Sequence, residues 1–369
     1  MTGPHAADRR TAGAVLEVDL DAIAANWRLL RARHPGGDVA GVVKADGYGL
    51  GAVPVATRLF REGCRHFCVA HLDEALAIRP HVPGALVAVL NGLIPGNEPI
   101  FSAHDIAPVL GSLAEIDGWA AAARAAGKKL PAMLHLDTGM SRLGLDGREL
   151  SALTGDPARL DGITLRYVMT HLVSSEIAGD PLNTMQLAHF NAACAALPAA
   201  PRSLANSSGM FLGPEFASDL ARPGAALYGI NPTPDAPNPM TPVVRLRARV
   251  LQIRDVPIGA TAGYNATWAA ARPSRLATVG VGYADGWHRS LSNRGTARFD
   301  GATVPLVGRV SMDLTIFDIT DHPAIGPGAW LDLLGPDHGP DAVATQAGTN
   351  GYEVLTSLGR RFARVYHGA

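Results

Sequence analysis

From about residue 38 to residue 228 the chain alternates short apolar runs with helix-length segments, and few folds accept that rhythm. The runs are Val39–Val43, Phe67–Ala70, Leu86–Leu90, Ala107–Leu110, Ala132–Leu136, Ile163–Met169 and Ser203–Ala205, with a weaker eighth at Asp219–Arg222. Between them stand helical candidates: Gly51–Glu62, Leu72–Ile78, Leu113–Ala126 and Asn183–Ala196. Runs that are apolar at consecutive positions are strands covered on both faces, and strands separated by helices pair in parallel. Eight such units over roughly 200 residues predict an α/β fold, a (β/α)8 TIM-like barrel rather than an open doubly wound sheet.

The rhythm then changes. Residues 231–242 hold five prolines in twelve positions, which can continue neither a helix nor a central strand and read as a stiff linker. Beyond it, Val244–Val250 alternates strictly, Asp300-Gly301 sits between two β-rich runs as a hairpin turn, and Leu314–Thr320 is strand-like. The prediction is two domains: a barrel over 1–235, whose first residues can pair with the second unit, and a mainly antiparallel β domain over 236–369.

Composition narrows the function. Lys plus Arg is 32 against 33 Asp plus Glu, a formal charge of −1, which argues against a nucleic-acid partner. No apolar run approaches the ~18 residues of a membrane span, and Met1–Arg10 is polar with no signal-type core behind it. The expectation is a cytoplasmic protein that acts on a small molecule. Three cysteines make no disulfide framework, and Cys64 and Cys68, near His66 and His71, straddle a helix end and a strand. They read as buried thiols, and no metal is expected.

The cations carry a sharper signal. There are 29 arginines and only three lysines, Lys44, Lys128 and Lys129. Lysine can lose its proton and form an imine, which arginine cannot do. Lys128 and Lys129 follow a helix end, but Lys44 closes the first apolar run. Function in a barrel gathers where strands end. Those places deliver Lys44, Arg142, His135, His171, Asn206 and Arg222, together with the small-residue turns Ala205-Asn-Ser-Ser-Gly209 and Arg222-Pro-Gly-Ala225. The turns after strands seven and eight are where barrels often cradle phosphate. An imine-forming lysine opposite a phosphate cradle points to pyridoxal phosphate.

The motifs resemble those of bacterial alanine racemases, which are pyridoxal-phosphate enzymes. The likeness lies in Val42-Val-Lys-Ala-Asp-Gly-Tyr-Gly-Leu-Gly51, Leu136-Asp-Thr-Gly-Met-Ser-Arg-Leu-Gly144, Ala205-Asn-Ser and Arg222-Pro-Gly-Ala-Ala-Leu-Tyr-Gly229. It continues through Gly263-Tyr-Asn-Ala-Thr-Trp268, Val281-Gly-Tyr-Ala-Asp-Gly286, Val307-Gly-Arg-Val-Ser-Met-Asp313 and Gly351-Tyr-Glu353. It spans nearly the whole chain in the family's order.

The resemblance implies a homodimer that interconverts L- and D-alanine and supplies D-alanine for peptidoglycan. Lys44 would hold the cofactor covalently and act as base on one face of Cα. Tyr264 would act on the other face, from the partner subunit. Arg222 would contact the pyridine nitrogen, with His171 orienting it. Arg142 would pair with the cofactor's phenolic oxygen and the substrate carboxylate, which Met312 and Asp313 would also approach. Tyr48, Ser207, Gly224, Ala225 and Tyr352 would hold the phosphate beside Asn206, while Tyr283, Arg289 and Tyr352 would line the entry corridor.

One position departs from the family. Many members carry a carbamate-forming lysine two residues before Asp-Thr-Gly, and this chain has His135 there; Asn265 also stands where glycine is common. His135 keeps open a racemase of other or broader substrate range. A non-catalytic cofactor-carrying barrel is the alternative of another class, opposed by the β domain. A decarboxylase of similar build is opposed by Arg222.

Overall fold

The computed structural model describes residues 11–369. The Met1–Arg10 segment, read above as carrying no export signal, lies outside the described residues.

Seven strands run parallel in one sheet, from Gly41–Val42 through His66–Val69, Leu86–Val89, Ala107–Leu110, Leu130–His135 and Ile163–Met169 to Arg202–Ser203. The eighth, Leu220–Ala221, pairs in parallel with Asp38–Val39, where the first strand begins. Ala40 N–H donates to Ala221 O at 2.9 Å, and Arg222 N–H donates to Ala205 O at 2.8 Å. The ring therefore closes on both sides, as the eight apolar runs predict. Its interior is filled by side chains, among them Val42, Cys68, Ala88, Met133 and Met169.

The helices cover the outside for the expected reason, one apolar stripe each. Ala52–Glu62 buries Val55, Ala56 and Leu59, and Leu113–Ala126 buries Ile116, Trp119 and Ala123. Two helix carboxylates, Glu115 on Leu113–Ala126 and Glu74 on Leu72–Ile78, hold strand-end loops. Glu115 accepts from Leu93 N–H at 2.8 Å and Gly111 N–H at 2.6 Å, while Glu74 accepts from Ala70 N–H at 2.8 Å and Asp46 N–H at 3.2 Å.

Beyond the barrel, Val244–Val256 is the central strand of the second unit. It pairs antiparallel with Ala14–Asp19, Ser274–Val279 and Trp330–Leu334. Ala14–Asp19 also pairs in parallel with Ala363–His367, so both ends of the described chain lie in one sheet. Thr296–Phe299 and Ala302–Pro305 form the hairpin, with Asp300 and Gly301 at φ 47 and 81, the positive values a type I′ turn requires. Two helices, Pro340–Ala347 and Gly351–Thr356, interrupt the β pattern and were not expected. The proline-rich linker is strapped to the first helix. The Asn26 side chain accepts from Thr241 N–H at 2.8 Å and donates to Thr241 O at 2.9 Å. No helix among the described residues is long and apolar enough to cross a membrane.

Candidate active site

A cavity of about 720 Å³ opens where the barrel strands end. Lys44, Tyr48, Arg142, His171, Asn206, Ser207, Arg222, Gly224 and Ala225 line it, together with His135, and the β domain of the same chain adds Tyr352.

Lys44 stands at the head of a strained turn. Ala45, Asp46, Gly47 and Tyr48 all lie in the left-handed region, at φ 54, 54, 63 and 53. That conformation costs about 1–2 kcal/mol per non-glycine residue, and a run of it persists only where neighbours enforce it. Here Gly49 N–H donates to Ala45 O and Gly51 N–H to Asp46 O, both at 2.7 Å, while Ala52 N–H donates to Asp46 Oδ1 at 2.9 Å. Gly49 backs onto the β domain so closely that a Cβ would stand 2.3 Å from Leu355 O. The turn throws Tyr48 over the cavity. Its ring stacks on Tyr228 at 4.6 Å, and burial pushes its hydroxyl up to about 12, so it remains a donor.

Arg222 is buried, and its hydrogen bonds run to two uncharged oxygens. Nη1 donates to Ser203 Oγ and Nη2 to Thr170 O, each at 2.6 Å, so those two bonds occupy two of the five guanidinium N–H donors. Burial lowers even this guanidinium, to about 10. Its charge spreads through the site. Burial and then Arg222, Arg142 and Lys44 hold His171 down at about 3. Burial and then Arg222 and Arg142, offset by Asp137, hold His135 at about 4. Both imidazoles are therefore neutral near pH 7. Lys44 is pushed below its usual range by burial first, then by Arg142 and Arg222, against the opposing Cys68 and Glu74.

The loop that carries Arg142 is wound around Asp137. Oδ1 accepts N–H bonds from Gly139 and Met140 at 2.9 Å and from Ser141 at 3.1 Å. Burial alone would raise this carboxyl; those three donors hold it below the ordinary value. At the far end of the cavity Ser207 Oγ accepts from Gly224 N–H at 3.0 Å and Ala226 N–H at 3.2 Å. A Cβ on Gly224 would stand 2.2 Å from the Tyr48 hydroxyl, so only glycine fits that approach. Asn206 Oδ1 closes the turn by accepting from Gly209 N–H at 2.8 Å and Ser175 Oγ at 2.9 Å.

The remaining expected residues do not join this cavity within one chain. Tyr264, Met312 and Tyr283 stand on the β domain, 69%, 54% and 43% exposed, and Asp313 and Arg289 are exposed beside them. Their loops are tied together. Ala284 N–H donates to Met312 O at 2.9 Å, and Arg361 bridges buried Asp285 at 2.6 Å to Asp313 at 2.7 Å. Sequence reading did not find Arg361, nor Ser203 and Thr170 behind Arg222. It also missed Gln186, whose amide binds Thr138 Oγ1 and His171 O at 3.0 Å, and Glu176, which accepts the Tyr352 hydroxyl. The available signal was a polar residue at the edge of an apolar run: Thr170 directly follows Ile163–Met169, and Ser203 opens Ser203–Ala205.

Fold and cavity together define a class: a barrel with an appended β domain, whose one mouth holds a lysine, two arginines and two small-residue turns. Family profiles specify it further. The alanine racemase N-terminal domain matches residues 18–232 and the alanine racemase C-terminal domain matches 243–366. The chain is 57% identical to an alanine racemase of Acidiphilium cryptum, over 95% of this chain and 98% of that one. It is 51% identical to a catabolic alanine racemase of Mesorhizobium japonicum, over 97% and 94%. It superposes with a TM-score of 0.94 on the alanine racemase of Bartonella henselae solved with covalently bound pyridoxal phosphate, at 42% identity, over 96% of this chain and 100% of that one. This chain belongs to the alanine racemase family.

Proposed function

We propose that the protein is a pyridoxal-phosphate-dependent alanine racemase, working on both faces of the substrate with Lys44 and a Tyr264 from a second copy, in the cytoplasm and in support of peptidoglycan synthesis. The observation that carries the reading is the pairing of a deprotonation-prone Lys44 with an anion cradle across the same cavity.

The residues fit the cofactor. The close approach of Gly224 to Tyr48 and the small-residue turn around Ser207 suit a phosphate. The Arg222 N–H donors beyond those on Ser203 and Thr170 suit a ring nitrogen. When bound, the cofactor would supply an aldehyde for the Lys44 amine and a conjugated ring to take up the electron pair left when the α-proton departs.

The chain's own groups do the rest. Burial, Arg142 and Arg222 disfavour the Lys44 ammonium and so favour the free amine, the form that can take a proton. Arg222 offers a hydrogen bond but scarcely a proton, which keeps a ring nitrogen opposite it unprotonated and favours plain proton return over side reactions. Arg142 presents a planar fork to a carboxylate. Neutral His171 adds no further positive charge to a cavity that already holds Lys44 and two arginines.

Tyr264, Tyr283 and Met312 are large aromatic and apolar side chains left exposed on the β domain, of the kind that association covers. The reading assigns those side chains to the cavity of a partner subunit.

The direct test is L-alanine in deuterium oxide. Deuterium at Cα and accumulating D-alanine are expected; exchange no faster than with free cofactor would refute a racemase.

A further inference from the structure

Helix Gly351–Thr356 belongs to the β domain but sends Tyr352 into the wall of the barrel cavity. There the hydroxyl donates to Glu176, on the loop after the sixth barrel strand. The same two residues also line a second cavity, of about 550 Å³, between the linker and the β domain. Nothing basic lines that second cavity, and Glu176, Asp337 and Asp341 make it acidic. Asp341 accepts from Asn231 N–H at 2.9 Å; burial and then the Glu176 charge push its carboxyl up, against that bond. Tyr352 and Glu176 thus form a partition with an anion cradle on one side and an acidic chamber on the other.

A phenol has one proton to donate. While Tyr352 gives it to Glu176, an anion in the cradle meets the lone pairs of the Tyr352 oxygen rather than its hydrogen. Glu176 also adds its own charge on the far side of the ring hydroxyl. Tyr352 does not resolve the contest by ionising, because burial and the bond to Glu176 keep its hydroxyl above the ordinary tyrosine range.

We infer that Glu176 is a positioning residue that competes with the cofactor phosphate for the Tyr352 hydroxyl and so weakens the grip on that phosphate. The inference rests on the pyridoxal-phosphate reading above. Glu176 is exposed, and its own hydrogen bond is to Tyr352, so replacing it costs the fold little.

The experiment compares two probes on wild type, Glu176→Gln and Glu176→Ala: pyridoxal 5′-phosphate and pyridoxal, the same aldehyde without the phosphate. Each dissociation constant is read from visible absorbance, and the rate of cofactor loss from holoenzyme is followed by dilution into a trap. Removing one charge next to a phosphate should tighten pyridoxal phosphate by about tenfold and slow its loss, with pyridoxal unchanged. In a Tyr352→Phe background the gain should shrink, because no proton is left to contest. Unchanged or weaker binding of pyridoxal phosphate by Glu176→Gln would overturn the inference. Equal shifts for both aldehydes would do the same, since they would mark a purely structural effect. Wild type that binds neither aldehyde would be a separate result, overturning the cofactor reading on which the inference stands.

Discussion

Arg222 Nη2 donates to the Thr170 carbonyl at 2.6 Å, which locks the end of the sixth barrel strand to the end of the eighth through a buried cation. Ser203 Oγ holds the other terminal nitrogen at the same distance. Ser203→Ala removes one of two protein acceptors from a buried charged group. A hydrogen bond to a charge is worth about 1.5–3 kcal/mol, so the denaturant midpoint should fall accordingly. The turnover number should fall more than KM rises, because Arg222 is held for the chemistry rather than for substrate capture. An unaltered midpoint would show that Ser203 does not restrain Arg222.

Acid should weaken this protein through its imidazoles. His171 is depressed to about 3 and His135 to about 4 in the folded state, whereas an unfolded histidine titrates near 6.5. Between those values the unfolded chain binds more protons than the folded one, so stability falls as pH drops from roughly 6.5 toward 4. His135→Gln should flatten that limb. Urea midpoints across the range check it, and a variant as steep as wild type would contradict the assignment.

The proposed sharing of sites between subunits makes a statistical prediction. Lys44→Ala and Tyr264→Phe homodimers should each be nearly inactive. After unfolding and refolding together, half the dimers would be mixed, each with one intact site, giving roughly a quarter of wild-type activity by two-fold symmetry. If no activity returns, Tyr264 and Lys44 do not meet across subunits.

The barrel was legible because its strands are buried on both faces and so print as uninterrupted apolar runs; even the short eighth, Leu220–Ala221, lies within its run. The hairpin was legible because Asp300-Gly301 suits the backbone it adopts. The left-handed turn was only partly so. Gly47 and Gly49 announce it, but Ala45 and Asp46 enter that region because Glu74 and Ala52 hold them there, a tertiary effect. Helix Pro340–Ala347 was missed although Pro340 at its start and Gly348 after its end are ordinary helix signals; the surrounding strands drew attention away. Glu176 gave no local sign, since its significance comes from Tyr352, 176 residues away. Nothing in Gly263-Tyr-Asn announces a base, and within one chain Tyr264 stands on the surface.

The central claim is that the Lys44 amine carries the cofactor. Borohydride reduction of the purified protein, followed by denaturation, digestion and mass spectrometry, tests it most directly. The account predicts one peptide, spanning Lys44, bearing a reduced pyridoxyl-phosphate group, and no such peptide from Lys44→Ala. A label on Lys128 or Lys129, or none after incubation with pyridoxal phosphate, would contradict it.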